Sequence, residues 1–175
     1  MKKLLLVVTV GILIACNNQS DETSSTNDSV TTSLPDSSGN KPQFVKDSLA
    51  LSEDEAKDDE VFTDGSKPST WENAGIKDAV AFKKFLKQFQ VWVANNDREK
   101  VSSAVSFPLR NPAIKDKAEF IAKYDTFFND KVKAALKNQN YNQIFRNVQG
   151  AMIGKGELWF TQKDREFVVI GINNK

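Results

Sequence analysis

The chain has 175 residues, with 24 Lys plus Arg against 23 Asp plus Glu and a formal net charge of +1. Histidine is absent and cysteine occurs once, which removes the commonest general base, the triads built on it and the commonest zinc ligand, and leaves no internal disulfide. The near-zero total conceals a split: residues 17–66 hold twelve acids and three lysines, a net of −9, whereas residues 67–175 hold nineteen Lys plus Arg and eleven acids, a net of +8. An acidic tail folding back on a basic domain, or an anionic partner for that domain, is one reading. Solvated lysine faces behind a solubilising acidic spacer are the more general expectation.

Lys2 and Lys3 precede an apolar run from Leu4 to Ile14, which closes on Leu13-Ile14-Ala15-Cys16. A charged start, an apolar segment too short to span a bilayer and a small residue ahead of the cysteine are the parts of an export signal. Together they resemble the bacterial lipoprotein signal, whose lipobox ends in a lipid-bearing cysteine. The resemblance implies a signal peptide over residues 1–15, lipid attachment at Cys16 and a mature chain held on a membrane by more than one acyl chain. It also implies the cell envelope, with Asn17 in place of an aspartate favouring the outer membrane and a periplasm-facing domain. The acidic Ser20-Asp21-Glu22 leaves surface exposure as an alternative.

Residues 16–75 read as a disordered acidic tether. Ser, Thr, Asp, Glu and Asn dominate, Pro and Gly are scattered through it, and no apolar period persists. A brief amphipathic turn around Leu49, Leu51 and Ala56 is the one exception.

Residues 76–175 are expected to form one α+β domain: N-terminal helices packed on a curved antiparallel sheet. Phe82, Phe85, Leu86, Phe89, Trp92 and Val93 make a helix stripe between Asp78 and Asn95, with Lys83, Lys84 and Lys87 on the other side. Asp97 caps a short second helix through Ala104, and Val105 to Leu109 alternates as an edge strand, since Pro108 cannot donate to a ladder. Asp116 and Glu119 have capping-box spacing and open a helix bearing Phe120, Ile121, Tyr124, Phe127 and Phe128. A shorter helix starts at Asp130. Three strands follow, Tyr141 to Ile153 with Gly150 as a bulge or close-approach point, Glu157 to Thr161, and Glu166 to Ile172. The last strand is apolar on both faces, Phe167 and Val169 on one and Val168, Ile170 and Ile172 on the other. One of these faces calls for a cover, such as a second copy of the chain.

The element order, with Phe107-Pro108-Leu109, the Phe120-to-Phe128 helix and Gly150-Ala151-Met152-Ile153-Gly154 followed by Leu158-Trp159-Phe160, resembles the nuclear-transport-factor-2-like (cystatin-like, SnoaL-like) superfamily over residues 78–173. That resemblance implies a cone-like fold and two classes of function. The first is a non-catalytic binding or interaction module, taking an apolar small ligand or an envelope protein. The second is a small-molecule enzyme of the isomerase or cyclase kind, with a pocket in the cone. Candidate pocket or interface residues are Trp92, Tyr124, Trp159, Phe167 and Val169. No catalytic residue is assigned: Tyr124 and Asp125 are adjacent on a helix and point about 100° apart, so they do not converge as a proton-transfer pair. No cofactor or metal is expected. Gly150 to Gly156 is one residue short of a phosphate loop and reads as a hairpin turn. Nucleic acid is not expected, because the aromatics keep core periods and do not interleave with the lysines.

Overall fold

The computed structural model describes residues 49–175. The signal peptide expected over residues 1–15, the lipid-attachment site expected at Cys16 and the expected tether as far as residue 48 lie outside the described residues. Those residues form an α+β fold of five α-helices and one four-stranded antiparallel sheet in the order β1-β2-β3-β4.

Helix α1 (Ala79–Ala94) starts where Asp78 accepts a hydrogen bond from the Ala81 N–H, and it buries Phe82, Leu86, Phe89 and Val93. Helix α2 (Arg98–Ser103) is capped in the same way by Asp97. Asp116 caps α3 (Lys117–Ala122), but Glu119 reaches back to the Lys115 N–H, one residue before the cap. The single helix expected to Phe128 breaks at Lys123, and α4 (Tyr124–Phe127) follows as a separate turn. An unbroken helix would set the adjacent Phe127 and Phe128 about 100° apart, whereas here both are buried. Asn129 caps α5 (Asp130–Lys137), which buries Val132 and Leu136.

The strands are β1 (Phe145–Asn147), β2 (Gly150–Ile153), β3 (Leu158–Lys163) and β4 (Glu166–Ile172). The single strand expected over Tyr141 to Ile153 is a 3-10 turn at Tyr141–Gln143, then β1, a tight turn and β2. Side-chain amides explain both interruptions: Asn140 accepts from the Asn142 N–H and Asn147 from the Gln149 N–H. Gly150 has φ +134°, and a Cβ there would lie 2.3 Å from the Phe160 carbonyl oxygen, so this is a close-approach glycine.

A bulge shapes the other end of the sheet. Trp159 pairs with Gly171 and Phe160 with Val169, which leaves Ile170 as the extra residue. Past it the alternation flips, so that Ile172, expected beside Val168 and Ile170, joins Leu158, Phe160 and Val169 in the core. Residues 105–109 form no strand. Val105 makes one parallel bridge to Val169 at the free edge of β4, and Leu109 bridges Ile114 across a turn.

The largest departure from expectation concerns residues 49–75. They do not behave as a tether: Phe62, Trp71 and Ala74 are buried, and Trp71 and Ala74 belong to the main core. This strap covers the α1 face that carries Lys83, and the lysine expected in solvent is fully buried. Its Nζ donates to the Glu55 carbonyl at 3.0 Å and the Lys57 carbonyl at 2.6 Å, and faces Asp58 Oδ1 at 2.9 Å. Asp58 Oδ2 accepts from Trp71 Nε1 at 2.6 Å and from Arg146 at 3.0 Å. The Arg146 guanidinium lies 4.4 Å from the Trp71 ring centroid, and Arg146 is itself buried on the sheet.

Two buried cations therefore rest on one strap carboxylate. Removing that carboxylate leaves both uncompensated, which costs about 3 kcal/mol or more. Asp58→Ala is expected to lower unfolding stability by that amount in urea titrations, while Lys84→Ala on exposed helix surface changes it by less than about 0.5 kcal/mol. Equal effects of the two substitutions would contradict this account of the strap.

Candidate binding cleft

A cleft of about 860 Å³ opens between the C-terminal half of α1, helix α5 and the strap at Asp54 and Glu55. That volume lies within the usual range for small-ligand sites, about 300–1,000 Å³. Helix packing supplies its floor: Val93 and Leu136 are almost fully buried, with Val91 and Ala94 beside them. The turn after α5 closes one end, where the Tyr141 hydroxyl donates to Gln90 Oε1 at 2.6 Å. Gln90 Nε2 donates in turn to the Leu136 carbonyl at 2.6 Å, a closer bond than the 3.5 Å one this carbonyl accepts from the Gln139 N–H at the end of α5.

Lys87 completes that end. Its Nζ donates to Glu55 Oε2 at 2.7 Å and to the Ala50 carbonyl at 2.9 Å, and sits 5.6 Å from the Tyr141 ring centroid. The Lys87 hydrogen bond is the first cause that holds the Glu55 carboxyl below its ordinary range, and the Ser52 N–H is the second. Burial, followed by the Glu55 charge, pushes the Tyr141 hydroxyl up, so it stays a neutral donor. Lys133 and Lys137 also line the cleft, and neither ammonium has an ion-pair or hydrogen-bond partner among the described residues. A second, more open cleft of about 550 Å³ lies on the far side of α5 and shares Gln139 and Asn140 with the first.

None of the five residues singled out from sequence lines either cleft, and the structure does not bring them into one site. Trp92 and Phe167 are half-buried and both pack on Phe85, at 6.1 and 5.5 Å between ring centroids. Val169 is fully buried in the core. Tyr124 is also fully buried, stacked on Phe128 at 5.1 Å beneath Arg98, while Asp125 meets Arg98 at 2.8 Å on the surface. Trp159 stands on the opposite face of the sheet, against Gly171.

The residues that build the cleft escaped the sequence reading for two reasons. Tyr141 was assigned to a strand, and Lys87 to a solvated face. The readable signal was the i,i+4 pair Lys133 and Lys137 flanking Leu136 on an amphipathic helix. No group of His, Cys, Asp and Glu among the described residues is arranged to hold a metal ion. No described helix is long and apolar enough to cross a membrane. Comparison with known proteins gives no match: no family model, no curated protein and no solved structure matches this chain.

Two outcomes follow from these environments. Because folding lowers the Glu55 pKa from 4.5, its stabilising contribution is fully present above that pH and is lost as pH falls through the lowered value. Glu55→Gln should therefore flatten part of the acid limb of stability against pH, measured by denaturant unfolding, with little pH dependence introduced near neutrality. The Tyr124 hydroxyl has no hydrogen-bond partner, and burial pushes its pKa up to about 12, with Arg98 opposing. Tyr124→Phe is expected to leave the melting temperature unchanged or raise it, by no more than about 1 kcal/mol of stability. A loss of 2 kcal/mol or more would mean the hydroxyl has a partner not seen here.

Proposed function

We propose that the chain is a membrane-anchored envelope lipoprotein whose folded domain is a non-catalytic binding module using the α1–α5 cleft. One observation carries the binding reading. The cleft is walled by Gln90, Lys87 and Tyr141, whose polar groups are engaged in fixing the walls, and these surround an apolar floor of Val93 and Leu136. Side chains locked by such bonds present a preformed surface, which favours binding by reducing what must be ordered when a ligand arrives. The anchoring reading draws its support from sequence, from Lys2 and Lys3, the apolar run and Leu13-Ile14-Ala15-Cys16. A cone-like fold of the nuclear-transport-factor-2-like kind is supported by element order, with helices ahead of an antiparallel meander, and by the bulge at Ile170, a device that bends a strand.

The enzyme alternative calls for an inward Tyr124 or an inward carboxylate; Asp54 and Glu55 line the cleft, with Glu55 tied to Lys87. With its hydroxyl enclosed among Phe120, Phe128 and the Arg98 side chain, away from both clefts, Tyr124 lends that alternative no support.

Cell fractionation with a palmitate analogue tests the anchor. Wild-type chain should be labelled and sediment with membranes, and Cys16→Ala should be unlabelled and released. Native mass spectrometry of the detergent-extracted full chain tests the module, with a bound small molecule expected at about one per chain. A bare chain that also shows no small-molecule uptake on titration would refute the binding reading, and its mass reports whether a second copy is associated.

A further inference from the structure

We infer that the α1–α5 cleft takes an amphipathic organic anion: a carboxylate or phosphate head on an apolar body. The inference rests on the binding-module reading and names the class of ligand. The floor dictates the body. Val91, Val93, Ala94 and Leu136 form its apolar strip, and the Gln90 amide beside them has both ends occupied, by Tyr141 and by Leu136. An aliphatic segment laid on that strip loses water without stranding the Gln90 amide.

Charge dictates the head. Lys133 and Lys137 are four residues apart on α5, so both ammonium groups serve the same side of the helix, and both line the cleft. Six described lysines, Lys83, Lys87, Lys100, Lys117, Lys123 and Lys131, each lie 2.7–3.6 Å from a carboxylate. Of the lysines without such a partner among the described residues, Lys133 and Lys137 are the two that line the cleft. The C-terminal dipole of α5 accounts for Lys137 in the last turn but fades before Lys133.

Asp54 and Glu55 also line the cleft, and only Glu55 is paired with a lysine, Lys87. An anionic head is drawn to Lys133 and Lys137 and away from these carboxylates, with the apolar body on Val93 and Leu136. Lysines act as point charges and lack the fork of an arginine, so carboxylate and phosphate are both acceptable heads.

The test uses the full chain carrying Cys16→Ser, so that no acyl group competes, isotopically labelled and titrated with octanoate, octyl phosphate, octylammonium, octyl glucoside, acetate and inorganic phosphate. Octanoate and octyl phosphate should shift backbone amides at Val91, Ala94, Leu136 and Lys137, and acetate or phosphate alone should bind at least about tenfold more weakly. Lys133→Gln with Lys137→Gln should weaken octanoate by about tenfold or more while leaving the circular dichroism spectrum and melting curve unchanged. If octylammonium binds as tightly as octanoate, or if the double substitution changes nothing, the anion assignment is wrong. Octyl glucoside entering the cleft where octanoate does not would overturn the assignment and leave the binding module standing. No cleft shift with any probe would overturn both, and octanoate shifts confined to Met152, Trp159 and Ile170 would move the ligand to the outer sheet face.

Discussion

Asp58 is the residue through which separate parts of this fold are joined. A single carboxylate on the strap meets a helix lysine, a strand arginine and the indole N–H of a strap tryptophan. Burying ions is costly, and such a cluster persists only where hydrogen bonds complete the solvation that water would otherwise supply. Here carbonyls of Glu55 and Lys57 do that for Lys83; Arg146 has the Ile144 carbonyl and the Trp71 ring, while its buried Nε has no hydrogen-bond partner. Burial still pulls the Arg146 pKa down, with Asp58 opposing it. Apolar packing alone would hold the strap loosely, since only Phe62, Trp71, Ala74 and Ile76 bring substantial buried surface. The ion cluster makes its position specific.

The cleft depends on that specificity. Glu55 and Asp54 are its strap wall, and they are three and four residues from Asp58. Lys83 and Lys87 lie one turn apart on α1. One pins the strap from beneath and the other bonds it at the rim, so the same helix face that anchors the segment also sets the width of the opening. Across the gap, Gln90 ties α1 to the end of α5 through a side-chain amide. A wall built from such bonds tolerates little change in Gln90 or Tyr141 without altering the space between the helices.

Local chemistry was legible in the sequence where it acts over a few residues. The caps at Asp97 and Asp116 and the stripe Phe82 to Val93 appear in the structure much as the sequence pattern implied. The α+β class, with helices ahead of an antiparallel sheet, followed from the same signals. The misreadings share a different cause. Polar spacing between residues 49 and 75 looks like a tether because its few anchors, Asp58, Phe62, Trp71 and Ala74, keep no period. Each is held by a partner far along the chain. The flip at Ile170 depends on the pairing of β4 with β3, which no alternation within one strand can reveal. The five aromatic and aliphatic candidates for a site were conspicuous for their size, and size is what a core recruits first. The cleft instead uses polar residues that are ordinary one at a time, and they acquire a role only because two helices and the strap bring them together.

The strap is also separated from its partners by the direction of synthesis. Asp58 and Arg146 are 88 positions apart, and Trp71 lies almost as far from the same arginine. The ion cluster cannot close until β1 exists, so most of the domain must be made before the cluster is complete. Closing so long a loop is entropically costly, and contacts of this kind form slowly compared with helix caps and hairpins. The same carboxylate thus joins contacts of very different reach: Lys83, which also bonds the Lys57 and Glu55 carbonyls 26 and 28 positions away, and Arg146 at 88, and only the latter waits for β1.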